Sequence, residues 1–463
     1  MTALPYDDGS DRVPGEVSRP VERVVVVGAG MAGLAAANAL VNAGVPTVVL
    51  EARDRIGGRM HTVDVGGSPL DLGASWIHSP VMNPLTAWAE QVGVERRVAE
   101  ITDGLVGVDP AAGLVPGEEF ERLRDLAFDG FEAALGPLAD ELGPDAPISA
   151  AIGRYVEAKR AAGLSELEAS RLRTMILDLV EADASGGADE VAVDGYPTSG
   201  LFYEGSELGD FPLGGYRRLF EPLGRGLDVR LGCAVSAVEV RADGVEVVTA
   251  GGERHTGSHV VVTVPLGVLK AGVIRFDPPL PGERRAAIER LGFGRFEKVA
   301  ARFDPAFWRQ AGVPHAVPLP ADSRPELTVV VNVDRIVAEP AATAFAYGSR
   351  ARVLVDASDA EAVERLLRIL AALVGHRVPE PLAVARTAWS MDPFSLGAYA
   401  YVRCGSTPDD FEELGRPLHG RLLFAGEATG HARVGYADGA FSTGIREAKR
   451  LLGQPRVLLG SCG

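Results

Sequence analysis

Residues 24–62 constrain this chain more than any other stretch: VVVVGAGMAGLAAANALVNAGVPTVVLEARDRIGGRMHT. The apolar run Val24–Val27 has the length and branching of a buried strand. The Ala-rich stretch Leu34–Ala43 predicts a helix, and Thr47–Leu50 a second strand. Between strand and helix, Gly28, Gly30 and Gly33 form G-x-G-x-x-G. Gly28 permits the tight turn, Gly30 lets backbone approach a pyrophosphate, and Gly33 lets the helix lie close on the strand. The helix start, with Met31 and Ala32, offers free N–H groups and a positive dipole end to phosphate. Glu51 follows Gly33 by 18 residues, with Ala52 and Arg53 next to it. A carboxylate there accepts both hydroxyls of an adenosine ribose and repels a 2′-phosphate. NADP is disfavoured, and NAD or FAD remains.

The discriminator is Gly57-Gly58-Arg59, followed by Thr62. An NAD domain has no use for a second glycine turn just past the ribose acid. A longer cofactor does: Gly58 brings backbone to it, and Arg59 can pair with pyrophosphate charge. The two turns together favour FAD.

At 463 residues the chain is expected to form two domains. Its net charge of −17 disfavours a nucleic-acid partner and favours cationic substrates near a negative cleft. Only four of its 46 basic residues are lysines, namely Lys159, Lys270, Lys298 and Lys449. Cys233, Cys404 and Cys462 show neither metal spacing nor a disulfide framework, so no metal is expected. Residues 1–20 are polar and acidic and read as a flexible tail, not a signal peptide. No apolar run reaches membrane-spanning length, so a soluble cytoplasmic protein with no membrane contact is expected. Residues 85–183 read as helical, with Ser165 and Glu168 as a capping box for Glu166–Ala184. Residues 227–264 switch to period two, with Asp243-Gly244 suited to a hairpin turn.

Taken together, G-x-G-x-x-G, the acid and G-G-R-x-x-T resemble the flavin-dependent amine oxidase family. That group includes monoamine oxidases, polyamine oxidases, L-amino acid oxidases and lysine-specific histone demethylases. The resemblance runs along almost the whole chain. Asp71–His78, DLGASWIH, is similar to the family's second flavin-contacting segment. Thr263–Lys270, TVPLGVLK, is similar to a stretch of polyamine oxidases and demethylases. Gly294–Val299, GRFEKV, resembles the active-site lysine segment, and Trp389–Tyr399 the segment entering the flavin pocket. Phe424–Thr429 and Gly435–Ala440 resemble the C-terminal flavin motif.

The resemblance implies an α/β (α+β) amine oxidase fold. Its parts are a Rossmann-like FAD domain of glutathione-reductase type and a discontinuous substrate domain of mixed sheet and helix. Residues 21–84, 212–275 and 405–455 are assigned to the first, and 85–211 and 276–404 to the second, with 456–463 as a tail. The 227–264 block is matched to the small sheet that covers the cofactor.

FAD contacts are expected from Gly28, Gly30, Met31, Ala32, Gly33, Glu51, Ala52, Arg53, Gly58 and Arg59. Gly73, Ala74, Ser75, Trp76, Val235, Trp389, Gly426, Glu427 and Ala437 complete that set. The resemblance places Lys298 near the flavin through a water, Trp389 beside the ring, and Tyr399 and Tyr436 as walls of an aromatic cage. His78 is expected to face the substrate, as in polyamine oxidases, although Ser79 replaces the glycine common there. Ala398 stands where monoamine oxidases attach the flavin through cysteine, so FAD is expected to be noncovalent.

The implied reaction is oxidation of a small amine to an imine, hydrolysed to aldehyde plus amine, with O2 reduced to H2O2. His78, the TVPLGVLK stretch and the acidic charge favour a polyamine such as spermine or spermidine. Another primary or secondary amine, or an L-amino acid, is the alternative, and a flavin-binding scaffold without turnover is the alternative of another class. No tower-like insertion or histone-reading module is visible. Glu204, Glu207 and Asp210 are candidates to hold distant amines but read better as a solvated loop. Oligomeric state is left open.

Overall fold

The structure is a computed structural model that describes residues 15–99, 104–196, 209–304, 307–308, 314–321 and 323–460. A five-stranded parallel sheet is organised around β1 (Val24–Val27). Its neighbours are β2 (Thr47–Leu50) on one side and His259–Val262 on the other. Asp228–Arg230 and Leu422–Phe424 complete the two edges. Every residue of β1 is buried, which is why its sequence runs Val-Val-Val-Val without alternation. Helix α1 (Met31–Asn42) packs on this sheet and against the last helix, Ala437–Leu452. A side chain at Gly444 would lie 2.2 Å from the Ala32 carbonyl oxygen, so the two helix backbones nearly touch.

A second, seven-stranded sheet runs in the order Ala383–Arg386, Phe296–Arg302, Ala341–Tyr347, Val330–Asn332, His315–Pro318, Leu105–Asp109 and Gly113–Leu114. Helix Asp359–Val374 starts on a Ser358/Glu361 capping box and packs its apolar face on this sheet. Helices over residues 117–184 flank the other end and carry their own core. Glu166–Ala184 begins on the Ser165/Glu168 capping box read from the sequence.

Several expectations are corrected. The 227–264 block is not one sheet. Val235–Val240, Val245–Thr249, Arg254–Gly257 and Arg275–Asp277 form a four-stranded sheet, whereas Asp228–Arg230 and His259–Val262 join the parallel sheet. His259–Val262 is buried throughout, so an apolar run there marks a strand covered on both faces. The 85–183 region is not all helix: Leu105–Asp109 pairs in parallel with His315–Pro318. Its helical turn between Gly117 and Leu142 also widens to a π-helix at Leu126–Gly130.

The described parts of both expected tails are tied to the body of the protein. Ser18 N–H donates to the Gly420 carbonyl, and the Ser18 carbonyl meets the buried His259 ring at 2.9 Å. Leu459 is buried, and Gly460 N–H donates to Asn38 Oδ1 on α1. Among the described residues no helix is long and apolar enough to cross a membrane.

Candidate active site

One cavity of about 1120 Å³ runs from the glycine turn after β1 to the helices over residues 127–183. Every residue assigned to cofactor or amine lines it, with the exception of Gly33. Gly33 serves packing instead: a Cβ there would lie 1.9 Å from the Gly28 carbonyl oxygen.

At the glycine end, Gly28 adopts φ +103°, a conformation open to glycine at little cost. Gly57 N–H donates to the Ala29 carbonyl at 2.8 Å, which joins the second glycine turn to the first. Gly30 has an ordinary φ of −77°, and nothing stands nearer a Cβ there than Gly58 Cα at 4.0 Å. Neither strain nor packing in the protein demands a glycine at Gly30, which leaves its backbone open to the cavity. The α1 N-terminus beside it has no side-chain cap and no acid in its first turn, so its N–H groups are available to an anion. Glu51 is buried at the end of β2 and accepts from Ala29 N at 2.7 Å and Arg53 N at 2.9 Å. Each of its oxygens keeps a lone pair for a ribose hydroxyl. Ala52 continues the same wall, and Val235 faces it from a register shift in its strand.

The Arg53 guanidinium ties this end to the Trp389–Tyr399 segment through Asp392 and Ser395. Arg59, expected at the pyrophosphate, is ion-paired with buried Glu427 at 2.8 Å and also donates to the Ala398 carbonyl. Glu427 in turn accepts from Gly435 N and Ala400 N. Gly426, at φ +131°, and Ala437, at the start of the last helix, line the cavity beside it. This network joins the N-terminal and C-terminal motifs.

Lys298 lies mid-cavity on the strand Phe296–Arg302, 3% exposed. Its ammonium donates to the Gly73 carbonyl at 2.6 Å, Ser75 Oγ at 2.7 Å and the Asp71 carbonyl at 3.2 Å. The rings of Trp76 and Phe345 stand 5.5 and 5.3 Å from it. Burial pushes its pKa down to about 8, opposed by the negative charge of Asp71. Burial likewise pushes the Asp71 carboxyl up to about 6, although Thr62 and the Tyr216 N–H stabilise its anion. Gly73 can carry no side chain, because a Cβ would lie 1.8 Å from the Arg59 carbonyl oxygen. Ala74 is part of the same wall.

Trp389 is buried, donates its indole N–H to the Leu72 carbonyl at 3.1 Å, and meets His61 edge-on. Its backbone is positioned by Glu297, which sequence reasoning missed. Glu297 is fully buried and accepts from Thr387 Oγ1, Trp389 N, Ser390 N and Ser390 Oγ at 2.6–3.0 Å. The available signal was a charged residue beside Lys298 in an otherwise apolar strand.

At the far end, His78 packs edge-on to Tyr436, ring centres 4.9 Å apart. The Tyr436 ring also carries the Arg433 guanidinium 4.7 Å away. Tyr399 donates its hydroxyl to the Ala182 carbonyl, and Gly435 leaves it room, since a Cβ there would approach its ring to 3.3 Å. The acids in this part of the cavity are Asp129, Glu132, Asp178 and Asp183, none of which was singled out from the sequence. Asp210, a candidate amine holder, is instead ion-paired with Arg96 and does not line the cavity. Glu204 and Glu207 lie outside the described residues.

The sequence matches the family described as flavin containing amine oxidoreductase over residues 31–452. The chain belongs to this family. Polyamine oxidase 4 of Oryza sativa subsp. japonica is 31% identical to the oxidoreductase, over 94% of this chain and 90% of its own length. Lysine-specific histone demethylase 1 homolog 3 of Arabidopsis thaliana is 34% identical over 96% of this chain, which spans 30% of that longer protein. A solved putrescine oxidase variant, from a structure-based redesign of cofactor binding, shares the fold. Its TM-score is 0.74 at 24% identity, covering 94% of this chain and 100% of that one. The cofactor is FAD. The uncapped α1 end, the Gly30 gap and the buried Glu51 fit its adenosine diphosphate half. The cavity is larger than an ordinary small-ligand pocket, with room for a substrate as well.

Proposed function

We propose that this oxidoreductase oxidises a di- or polyamine such as spermine or spermidine to an imine, hydrolysed to aldehyde plus amine, with O2 reduced to H2O2. Bound FAD supplies the two-electron acceptor. The observation that carries the substrate class is the charge of the far chamber. Asp129 and Glu132 stand exposed at its edge and Asp183 lies inside. The cations lining the cavity are engaged: Arg53 by Asp392, Arg59 by Glu427, and Lys298 by Gly73 and Ser75. An L-amino acid would require a cation for its carboxylate, and among the described lining residues every arginine and lysine is already ion-paired or hydrogen-bonded.

The chain's own groups divide the work. Tyr399, Tyr436 and His78 enclose the reacting amine in aromatic surface. A cation gains from the ring faces, while desolvation favours the neutral amine, whose lone pair supports oxidation at the adjacent carbon. Lys298, its pKa lowered by burial, holds or releases a proton at Nζ, and orients water for imine hydrolysis when one of its three N–H groups leaves Gly73, Ser75 or Asp71. Trp389, fixed by Glu297, shapes the wall beside the reacting centre. Ala398 presents no thiol, so the cofactor is held without a covalent bond there. The free thiols of Cys233 and Cys404 support a reducing compartment, the cytoplasm.

The test mixes oxidised enzyme anaerobically with spermidine, spermine, benzylamine and L-leucine and follows flavin absorbance. Rapid bleaching by the polyamines supports the reading. Bleaching by benzylamine or L-leucine alone overturns it.

A further inference from the structure

We propose that Asp183 is the anionic anchor for a second, non-reacting ammonium of the substrate, which makes this site selective for diamines and longer polyamines over monoamines. The inference rests on the amine-oxidising reading above and names the residue behind its specificity. Helix Glu166–Ala184 turns one face into the cavity, with Met175, Asp178, Leu179, Ala182 and Asp183 at three- and four-residue spacing. An acid on such a face is costly unless something neutralises it. Asp178 is neutralised in the protein itself, by Arg350 at 2.5 Å. Asp183 is not. Its hydrogen-bond partner is the Tyr196 hydroxyl at 2.9 Å, and no cation among the described residues forms an ion pair with it.

The position suits a neighbouring amine rather than the reacting one. The residue before it, Ala182, holds the Tyr399 hydroxyl by its carbonyl. Burial raises the hydroxyl pKa values of Tyr399, Tyr347 and Tyr196, and the nearby negative charge of Asp183 adds to the rise. Asp183 thus lines the same cavity one residue past the carbonyl that holds Tyr399. A carboxylate beside the reacting amine would keep that amine protonated and slow its oxidation. A carboxylate one alkyl spacer away holds the other ammonium and leaves the reacting nitrogen free to lose its proton. Burial raises the Asp183 carboxyl to about 7 without a ligand, and a bound cation favours its ionised form.

The experiment compares 1,8-diaminooctane with octylamine, which differ by the second amine alone. Flavin-loaded enzyme is titrated anaerobically, and dissociation constants come from the concentration dependence of the spectral change. Bleaching itself tests the amine-oxidising reading. The ratio of the two constants tests Asp183, and it is readable from the spectral shift on binding even where no bleaching follows. Wild-type enzyme is expected to prefer the diamine by about tenfold or more, and Asp183→Asn to bring the ratio near one. Wild-type constants equal within twofold overturn the proposal. So does an Asp183→Asn enzyme, with flavin still bound, that keeps the diamine preference. Tyr196→Phe keeps the carboxylate and is expected to retain most of the preference. Its complete loss in Tyr196→Phe would place the recognition on the hydroxyl and also overturn the assignment to Asp183.

Discussion

Ser79 sits one residue past His78 with φ +48°, buried, and its hydroxyl makes no hydrogen bond. A left-handed conformation costs a non-glycine residue about 1–2 kcal/mol, and a buried unpaired hydroxyl adds to that. Glycine returns part of the gain through chain entropy. Ser79→Gly is therefore expected to raise stability by about 0.5–1 kcal/mol, read as a higher midpoint in denaturant. A lower midpoint would mean that the hydroxyl has a role the geometry does not reveal. Asp183 makes the opposite exchange, stability given up for binding. Its carboxyl is raised from 3.8 to about 7 by burial. Between those values the folded state keeps a proton that the unfolded chain has lost, so stability falls as pH rises, and the penalty is complete above pH 7. In amine-free enzyme, the melting temperature of Asp183→Asn should therefore pull ahead of wild type as pH goes from 4 to 7 and hold a constant lead beyond. A lead that is the same at pH 4.5 and pH 8 would refute the burial argument. Lys298 was legible because its motif is local in sequence. Asp183 was not, because a helix face becomes a cavity wall only when distant strands close over it.

The two strands of the β1–α1–β2 unit were legible to the residue, whereas its helix starts at Met31, three residues before the expected Leu34, so that Gly33 lies inside it. Two of the unit's glycines stand in contrast. Gly33 belongs to the fold: its Cβ would strike the Gly28 carbonyl oxygen, which belongs to the same turn. Gly30 has no such reason within the fold, since its Cβ would meet nothing closer than 4.0 Å, and we assign it to cofactor approach. Gly33→Ala is thus expected to cost about 3 kcal/mol or more and to yield little folded protein. Gly30→Ala should cost about 1 kcal/mol, as alanine at a helix N-cap does, and leave circular dichroism intact, yet purify with little or no flavin. Full flavin occupancy in Gly30→Ala would show that no phosphate approaches there. Elements outside such motifs were harder to read. Leu105–Asp109 carries Gly107 at its centre, and glycine is depleted in strands. The glycine is required because a Cβ would lie 2.7 Å from Phe120. The strand's partner, His315–Pro318, is more than 200 residues away in the chain, a pairing no local pattern announces. Glu297 was obscure for a related reason: its four donors come from residues 387–390, just past the neighbouring strand Ala383–Arg386 and distant in the chain.

For the molecule as a whole, the net charge of −17 was evident from composition, but its placement was not. The cavity holds its arginines at the cofactor end and Lys298 midway, each in an ion pair or hydrogen-bonded, and leaves Asp129 and Glu132 exposed at the far end. Such an arrangement draws a polycation toward the chamber without holding it there. Steering of this kind acts on encounter, weakens as salt shortens the screening length to about 8 Å at physiological strength, and scales with the charge of the ligand. Raising NaCl from about 10 mM to about 300 mM should accordingly lower kcat/KM for 1,8-diaminooctane by about threefold or more. Octylamine, with one charge, should lose less, and kcat should hold for both. Asp129→Asn combined with Glu132→Gln should flatten the salt dependence while leaving the diamine-to-monoamine binding ratio in place, because that ratio is assigned to Asp183. Salt dependence that survives the double substitution would locate the steering field in the remaining surface charge. A diamine rate indifferent to salt would mean that the acidity of this chain serves no purpose at the chamber mouth.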